Sequence, residues 1–300
     1  SYDGTLTVWA GESEFGQGAK TVMAQVVAEE FGVSPDSVIV QLGDTRLTPF
    51  ATGTHGSKLT TILANAVLAA CDNAKKEILD EITLMTGSGK LHIENGAIKN
   101  GRGDVLMTLT EALNKVCIKR SGAPVIAMGE YRPAAVMLDS TGYGNLAPTY
   151  PFGVQAAEVE VDETTGKIIV KKIVAVHDSG RIFNPQMAAG GVYGGVAQAF
   201  GFAMMEQLGI NNQGLLHGGT LLEYKMPTML DVPELVADFV ETEDPHGPYG
   251  AKALGEPPIV SVLPAIANAV YDAIGLRLDD APFTPQKVLQ AIEKRNREAM

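Results

Sequence analysis

The residues best suited to do chemistry stand in the stretch Gly250-Ala-Lys-Ala-Leu-Gly-Glu-Pro-Pro-Ile259. Glu256 follows a glycine, precedes two prolines and is flanked by Ala253, Leu254, Ile259 and Val260. An apolar run on both sides implies a low-dielectric setting, which penalises the charged form of a carboxylate and suits it to general-base work. Pro257 biases Glu256 away from helical backbone and Pro258 does the same to Pro257, so the side chain is expected on a stiff, extended segment. Rigid placement is what a base needs. The alternative is a helix-opening turn, with the prolines leading into a helix over 261–274 and Glu256 merely solvated near its N-terminus.

Three further stretches offer backbone donors rather than nucleophiles: Phe15-Gly-Gln-Gly18, Gly53-Thr-His-Gly-Ser57, and the glycine-rich run around Gln198. Glycine lets N–H groups approach a ligand closely, and a glutamine amide donates and accepts on one flat face. Such loops suit a large, flat, anionic cofactor. Taken singly, each is a common kind of turn.

The elements that must position these loops follow from periodicity. Thr5 to Ala10 alternates as a strand, Ala19 to Phe31 has a helical apolar pattern closed by Gly32, and Val38 to Leu42 is a short buried strand. A second helix follows Ser57 and runs through about Ile82. Strand, glycine loop and helix, twice over, predict an α/β arrangement with two helix N-termini available to an anion. Leu91 to Ile98 reads as a hairpin about Glu94-Asn-Gly96, and Thr108 to Ile118 as a helix opened by a Thr-Leu-Thr-Glu box. The Gly/Pro/Asn-rich connector over 140–150 predicts a boundary between subdomains at 1–145 and 146–300.

The second half opens with strands at Gln155–Asp162 and Lys167–Asp178, joined by Glu163-Thr-Thr-Gly166. His177 falls in the latter and reads as structural. Ala188 to Leu208 is helical but glycine-rich, which predicts close packing against something flat or another backbone. Leu222 to Pro227 reads as extended, Leu235 to Val240 as a strand, and 283–293 as a terminal helix.

A net charge of −12 and a pI of about 4.9, with no basic cluster beyond Lys171-Lys172 and Lys294-Arg295-Arg297, argue against a nucleic-acid partner. Hydrophobic content of 45% with 33 glycines describes a globular chain rich in tight turns. No apolar run is expected to reach membrane-spanning length, and no signal-peptide pattern is evident. Cys71 and Cys117 lack metal-ligand or iron–sulfur spacing and read as reduced core residues of a cytoplasmic protein. The chain starts Ser1-Tyr-Asp-Gly and passes at once into a strand, as though entering a fold already under way.

In order along the chain, Glu14-Phe-Gly-Gln-Gly18, Gly43-Asp-Thr45, Gly53-Thr-His-Gly-Ser57, Gln198-Ala-Phe-Gly201, Glu223-Tyr-Lys-Met-Pro227 and Ala251-Lys-Ala-Leu-Gly-Glu-Pro-Pro258 resemble the molybdenum hydroxylases of the xanthine dehydrogenase and aldehyde oxidase family. The resemblance covers nearly the whole chain, weakest over roughly 85–140. It matches the C-terminal half of the family's molybdopterin-binding region, a mixed α/β (α+β) fold. The resemblance implies that Glu256 is the general base, taking a proton from hydroxide on the metal while hydride passes to a sulfido or selenido ligand. It places Phe15, Gly16, Gln17 and Gly18 near metal or pterin, Thr54, His55, Gly56 and Ser57 along the pterin, Gln198 on its polar edge, and Lys252 among the cofactor-binding residues. No protein metal ligand is implied, because the pterin dithiolene holds molybdenum.

The arrangement most resembles the medium molybdopterin subunit of nicotinate dehydrogenases. That implies a molybdenum–molybdopterin cofactor in cytosine dinucleotide form, a large subunit supplying the rest of the site, iron–sulfur and FAD partner subunits, and a dimer of hetero-oligomers. Purine hydroxylases, aldehyde- or CO-oxidising relatives and a non-catalytic scaffold retaining the fold stay open alternatives. Two departures stand out. Where many members carry Gly-Gln-x-Glu-Gly-Gly, this chain reads Gly190-Gly-Val-Tyr-Gly-Gly195, and His55 occupies a position more often held by a small or different residue.

Overall fold

A computed structural model of the chain describes residues 1–135, 137–147 and 149–298. They divide into two units, Ser1–Tyr150 with Glu243–Ala253, and Pro151–Thr242 with Leu254–Met300. The division falls at Tyr150/Pro151 rather than 145/146, and one segment of the second half returns to the first unit. Specific bonds bring it back. Asn65 Nδ2 donates to the His246 carbonyl at 2.8 Å, the Tyr131 hydroxyl reaches the same carbonyl at 3.3 Å, and the Tyr249 hydroxyl donates to Glu30.

The first unit begins with β1 (Leu6–Ala10), α1 (Ala19–Phe31) and β2 (Val38–Leu42). β1 and β2 pair in parallel, Leu6 opposite Val38 and Ala10 opposite Leu42, with α1 as the crossover. Gly32 closes α1 in the left-handed region at φ 64°, where a Cβ would stand 2.5 Å from Asn95 Cα. A π-helical turn, Leu59–Leu63, leads into α2 (Ala64–Thr86), which runs four residues past its expected end. Val67, Cys71, Ile78 and Ile82 form its buried stripe.

The expected hairpin is present as β3 (Leu91–Glu94) and β4 (Ala97–Asn100), with a third strand, β5 (Val105–Thr108), added to it. The third strand was hidden because it is four residues long and runs directly into α3 (Leu109–Lys119). The Thr108–Glu111 capping box opens α3 as its sequence predicts.

In the second unit β6 (Phe152–Asp162) and β7 (Lys167–Asp178) form a long antiparallel hairpin, and β10 (Glu234–Val240) joins β7 in parallel. A register shift leaves Lys171 unpaired in β7. The inward set therefore changes from Ile168 and Val170 to Ile173, Ala175 and His177. α4 (Pro185–Met204) starts three residues earlier than expected because Asn184 caps it, accepting from the Met187 N–H at 3.1 Å. Two-residue strands β8 (Gly209–Ile210) and β9 (Leu216–His217) follow. Of the expected extended segment, residues 222–223 lie in a turn and 224 in a bend, and 225–227 are irregular and pair with no strand.

The unit closes with α5 (Pro257–Val260), α6 (Val262–Ile274) and α7 (Pro285–Glu298). Val192, Val196 and Ala203 of α4, Val262, Ile266 and Val270 of α6, and Phe283 and Val288 fill the core on the sheet. Pro257–Ile274 has 18 residues at mean hydropathy 1.3, long and apolar enough on composition to cross a bilayer, which corrects the expectation that no run is. It is broken at Ser261, and its Val262, Ile266 and Val270 are fully buried in this unit's core.

Candidate functional site

In the first unit two glycine loops meet. Thr54 Oγ1 accepts from the Ser13 N–H at 2.9 Å and donates to the Ser13 carbonyl at 3.0 Å, tying Gly53–Ser57 to Ser13–Gly18. Phe15, Gly16, Gln17, Gly18, Thr54, His55, Gly56 and Ser57 thus stand on two adjoining loops, with Gly18 buried. Their shape rests on unusual backbone, with Gly16 at φ 111°, Gly53 at 102°, Gly56 at 62° and Ser57 at 50°. A Cβ on Gly16 or Gly56 would meet nothing within 4 Å, so both border open space. Phe15 is 71% exposed beside them.

The start of α1 differs from expectation. Glu14 curls over it: Oε1 accepts from the N–H groups of Gly16 at 2.8 Å and Gly18 at 3.1 Å, and Oε2 from Lys20 at 3.0 Å. Partial burial works against the charge, but the N–H groups of Lys20, Gly16 and Gly18 outweigh it and hold the carboxyl below the usual range. That helix N-terminus is therefore taken by the chain's own carboxylate, which corrects its reading as open to an external anion. Gln17 is likewise engaged, donating to the Ser13 carbonyl and accepting from the Phe15 N–H, both at 2.8 Å. Glu14 stood in the quoted motif without a role; an acid just before a Gly-x-Gly turn and a helix was the signal. Lys252 also belongs to this unit and is buried, 7% exposed.

In the second unit Glu256 precedes α5 with helical backbone, φ −94° and ψ −30°, and its side chain is exposed. Both observations correct the sequence reading of an extended segment in an apolar setting. The prolines open a helix, which is the alternative reading given above; Pro258 turns inward while Glu256 and Val260 stay at the surface. Pro258 is buried, and the Ile259 N–H closes the turn on the Glu256 carbonyl at 3.0 Å. A Cβ on Gly195 of α4 would stand 2.9 Å from Pro258 Cβ, so this glycine is what lets α4 pack on the turn. By contrast Gly190, Gly191 and Gly194 face open space, although the helix was read as closely packed along its glycines.

Gln198 lines an open cleft of about 500 Å³ with Phe202, Glu206, Ile259, Val260, Leu263 and Pro264. Gln198 and the Glu256 turn therefore share one region of this unit. On its sheet side, Gln155 Nε2 donates to the Pro258 carbonyl at 2.8 Å and lies 3.4 Å from His177 Nε2. Sequence reasoning missed Gln155. Its signal was a polar residue at an inward position of β6, where Ala157, Val159 and Val161 continue the row. Among the described residues no group of three His, Cys, Asp or Glu side chains could hold a metal ion.

Residues 1–233 match the molybdopterin cofactor-binding domain family. The chain is 34% identical over 299 residues to the xanthine dehydrogenase molybdenum-binding subunit of Escherichia coli O157:H7, covering 96% of this chain and 38% of that protein. Among solved structures it resembles CO dehydrogenase from Oligotropha carboxidovorans, with TM-score 0.84 at 26% identity over 99% of this chain and 37% of that one. Quinoline 2-oxidoreductase from Pseudomonas putida 86 gives TM-score 0.84 at 26% identity, over 98% and 37%. The chain thus spans somewhat over a third of the length of these relatives. With the joined glycine loops and the Glu256 turn, the match places the chain in the molybdenum hydroxylase family, as the C-terminal part of its molybdenum-binding region.

Proposed function

We propose that the chain belongs to the molybdenum-binding part of a cytoplasmic hydroxylase that oxidises a carbon of an N-heterocycle, with water as oxygen donor, and passes electrons to iron–sulfur and FAD groups on partner subunits. The observation that carries this reading is the exposed Glu256 carboxylate on a doubly fastened proline turn, in the same unit as the Gln198 cleft. Two of the relatives described above act, by their names, on the N-heterocycles xanthine and quinoline.

The residues fit a molybdopterin. Open space beside Gly16 and Gly56, and the hydroxyl-tied loop Thr54–Ser57, suit a polar, flat ligand, and the protein need supply no metal ligand. When bound, the cofactor supplies the two-electron redox chemistry. Phe15–Gly18, Thr54–Ser57, Gln198 and Lys252 bind and orient it. Glu256 accepts at its carboxylate the proton released as water becomes the new hydroxyl of the product, and the turn keeps that carboxylate from drifting. The cytosine dinucleotide form, a sulfido or selenido ligand, a large subunit completing the site and a dimer of hetero-oligomers complete the proposal.

Glu256→Gln keeps the shape and removes the base, so turnover should fall about 10²–10⁴-fold with molybdenum content near wild type. Full turnover in this variant would sink the base assignment. Elemental analysis of the purified complex should find near-stoichiometric molybdenum, with iron from a co-purifying subunit. Selenium would favour the selenido form, and a metal-free chain purifying alone would favour the scaffold reading.

A further inference from the structure

We propose that Gln155 is a positioning residue for Glu256: its amide holds the Pro258 carbonyl, and His177 behind it takes the amide's second N–H. The inference rests on the reading of Glu256 as base.

The two prolines take donors out of the turn that carries Glu256. Pro257 and Pro258 have no N–H, so these two residues can be held only through their carbonyls and side-chain packing. Gly195 lets α4 pack on the Pro258 ring, and Gln155 Nε2 takes the Pro258 carbonyl at 2.8 Å. The carboxylate stands two residues before this anchored proline.

The amide cannot be reversed. A proline carbonyl only accepts, so a flipped Gln155 would set oxygen against oxygen at 2.8 Å. With Nε2 there, its second N–H turns towards His177 Nε2 at 3.4 Å, and that nitrogen must be the acceptor. His177 is 1% exposed, and its ring is seated against Gly153, where a Cβ would stand 2.5 Å from Nδ1. Gly153 and His177 are opposite each other in the β6–β7 register, and Gln155 is the diagonal neighbour.

The arrangement leaves Gln155 Oε1 and His177 Nδ1 buried without partners among the described residues, a cost that an apolar pair would avoid. Its presence on an otherwise apolar inward row is explained if the Pro258 carbonyl must be held.

The test uses the assembled holoenzyme, with hydrogen–deuterium exchange of the Ile259 amide and steady-state kinetics on xanthine and quinoline as probe substrates. In Gln155→Leu, exchange at Ile259 should rise about tenfold, with molybdenum content unchanged and kcat falling more than KM changes. Wild-type exchange at Ile259 would overturn the proposal. Faster exchange with kcat unchanged would leave the fastening standing but overturn the positioning role, while failure of the base reading itself is detected separately, by full turnover in Glu256→Gln.

Should the leucine variant fail to assemble, Gln155→Glu serves instead. Its carboxyl donates to Pro258 when protonated and repels it when ionised. Ile259 exchange relative to wild type at the same pH should therefore rise as pH is raised through the carboxyl's titration, and a ratio that stays at one throughout would overturn the proposal.

Discussion

Glu256 shows how far residue-level reasoning reaches. Its neighbours in sequence are apolar, yet Pro258 turns into the unit and is buried while Glu256 remains exposed. Side-chain direction, not sequence proximity, sets the dielectric around a group. His177 was read as a structural strand residue, and it is fully buried on β7. Burial alone pushes its imidazole below the ordinary value, because no charge offsets the lost hydration. The folded chain therefore favours the neutral ring. Its contribution is full above about pH 6.5 and is lost as pH falls below that towards the depressed folded value. Stability from urea unfolding should fall on acidification below about 6.5, and His177→Gln should flatten that part of the profile. An unchanged profile would mean that another group titrates there.

At the scale of elements, the first loop is held by Glu14, whose carboxylate gathers three N–H groups at the start of α1. Glu14→Ala should cost about 1–2 kcal/mol by chemical denaturation and loosen the Phe15–Gly18 loop. The native carboxyl lies below its usual range, so this contribution is present above about pH 4.5 and lost as pH falls through the folded value. The wild-type advantage over Glu14→Ala should vanish in acid.

On α4 the glycines separate into two kinds. Gly195→Ala should destabilise by about 1–3 kcal/mol, since its Cβ would press on Pro258. Gly190→Ala, facing open space, should stabilise the chain by up to about 1 kcal/mol through helix propensity. Equal effects at the two positions would contradict the packing seen around Pro258.

Across the whole molecule, the segment after α4 leaves large apolar side chains uncovered, among them Leu208, Ile210, Leu221, Leu222, Met229 and Leu230. Surface of this kind is seldom left bare in a soluble monomer, and the chain spans 38% of its Escherichia coli relative. Produced by itself, the chain should self-associate in sedimentation, and replacing Leu221 and Leu222 with Lys should reduce that association. A net charge of −12 opposes self-association, so added salt should strengthen it.

Local rules were enough for the crossover β1–α1–β2, the Gly32 stop, the Thr108–Glu111 capping box, the β6–β7 hairpin and the glycine loops, because each depends on residues within one or two turns of the backbone. The order of those loops carried the family. What sequence left open depends on distant pairs. Thr54 meets Ser13 across 41 residues, Gln155 meets Pro258 across 103, and Glu243–Ala253 joins the first unit through bonds to Asn65, Tyr131 and Glu30. Contacts of that span leave no periodicity along the chain. Only the tertiary structure decided that Glu14 caps its own helix and that Glu256 is exposed on a turn fastened from the sheet.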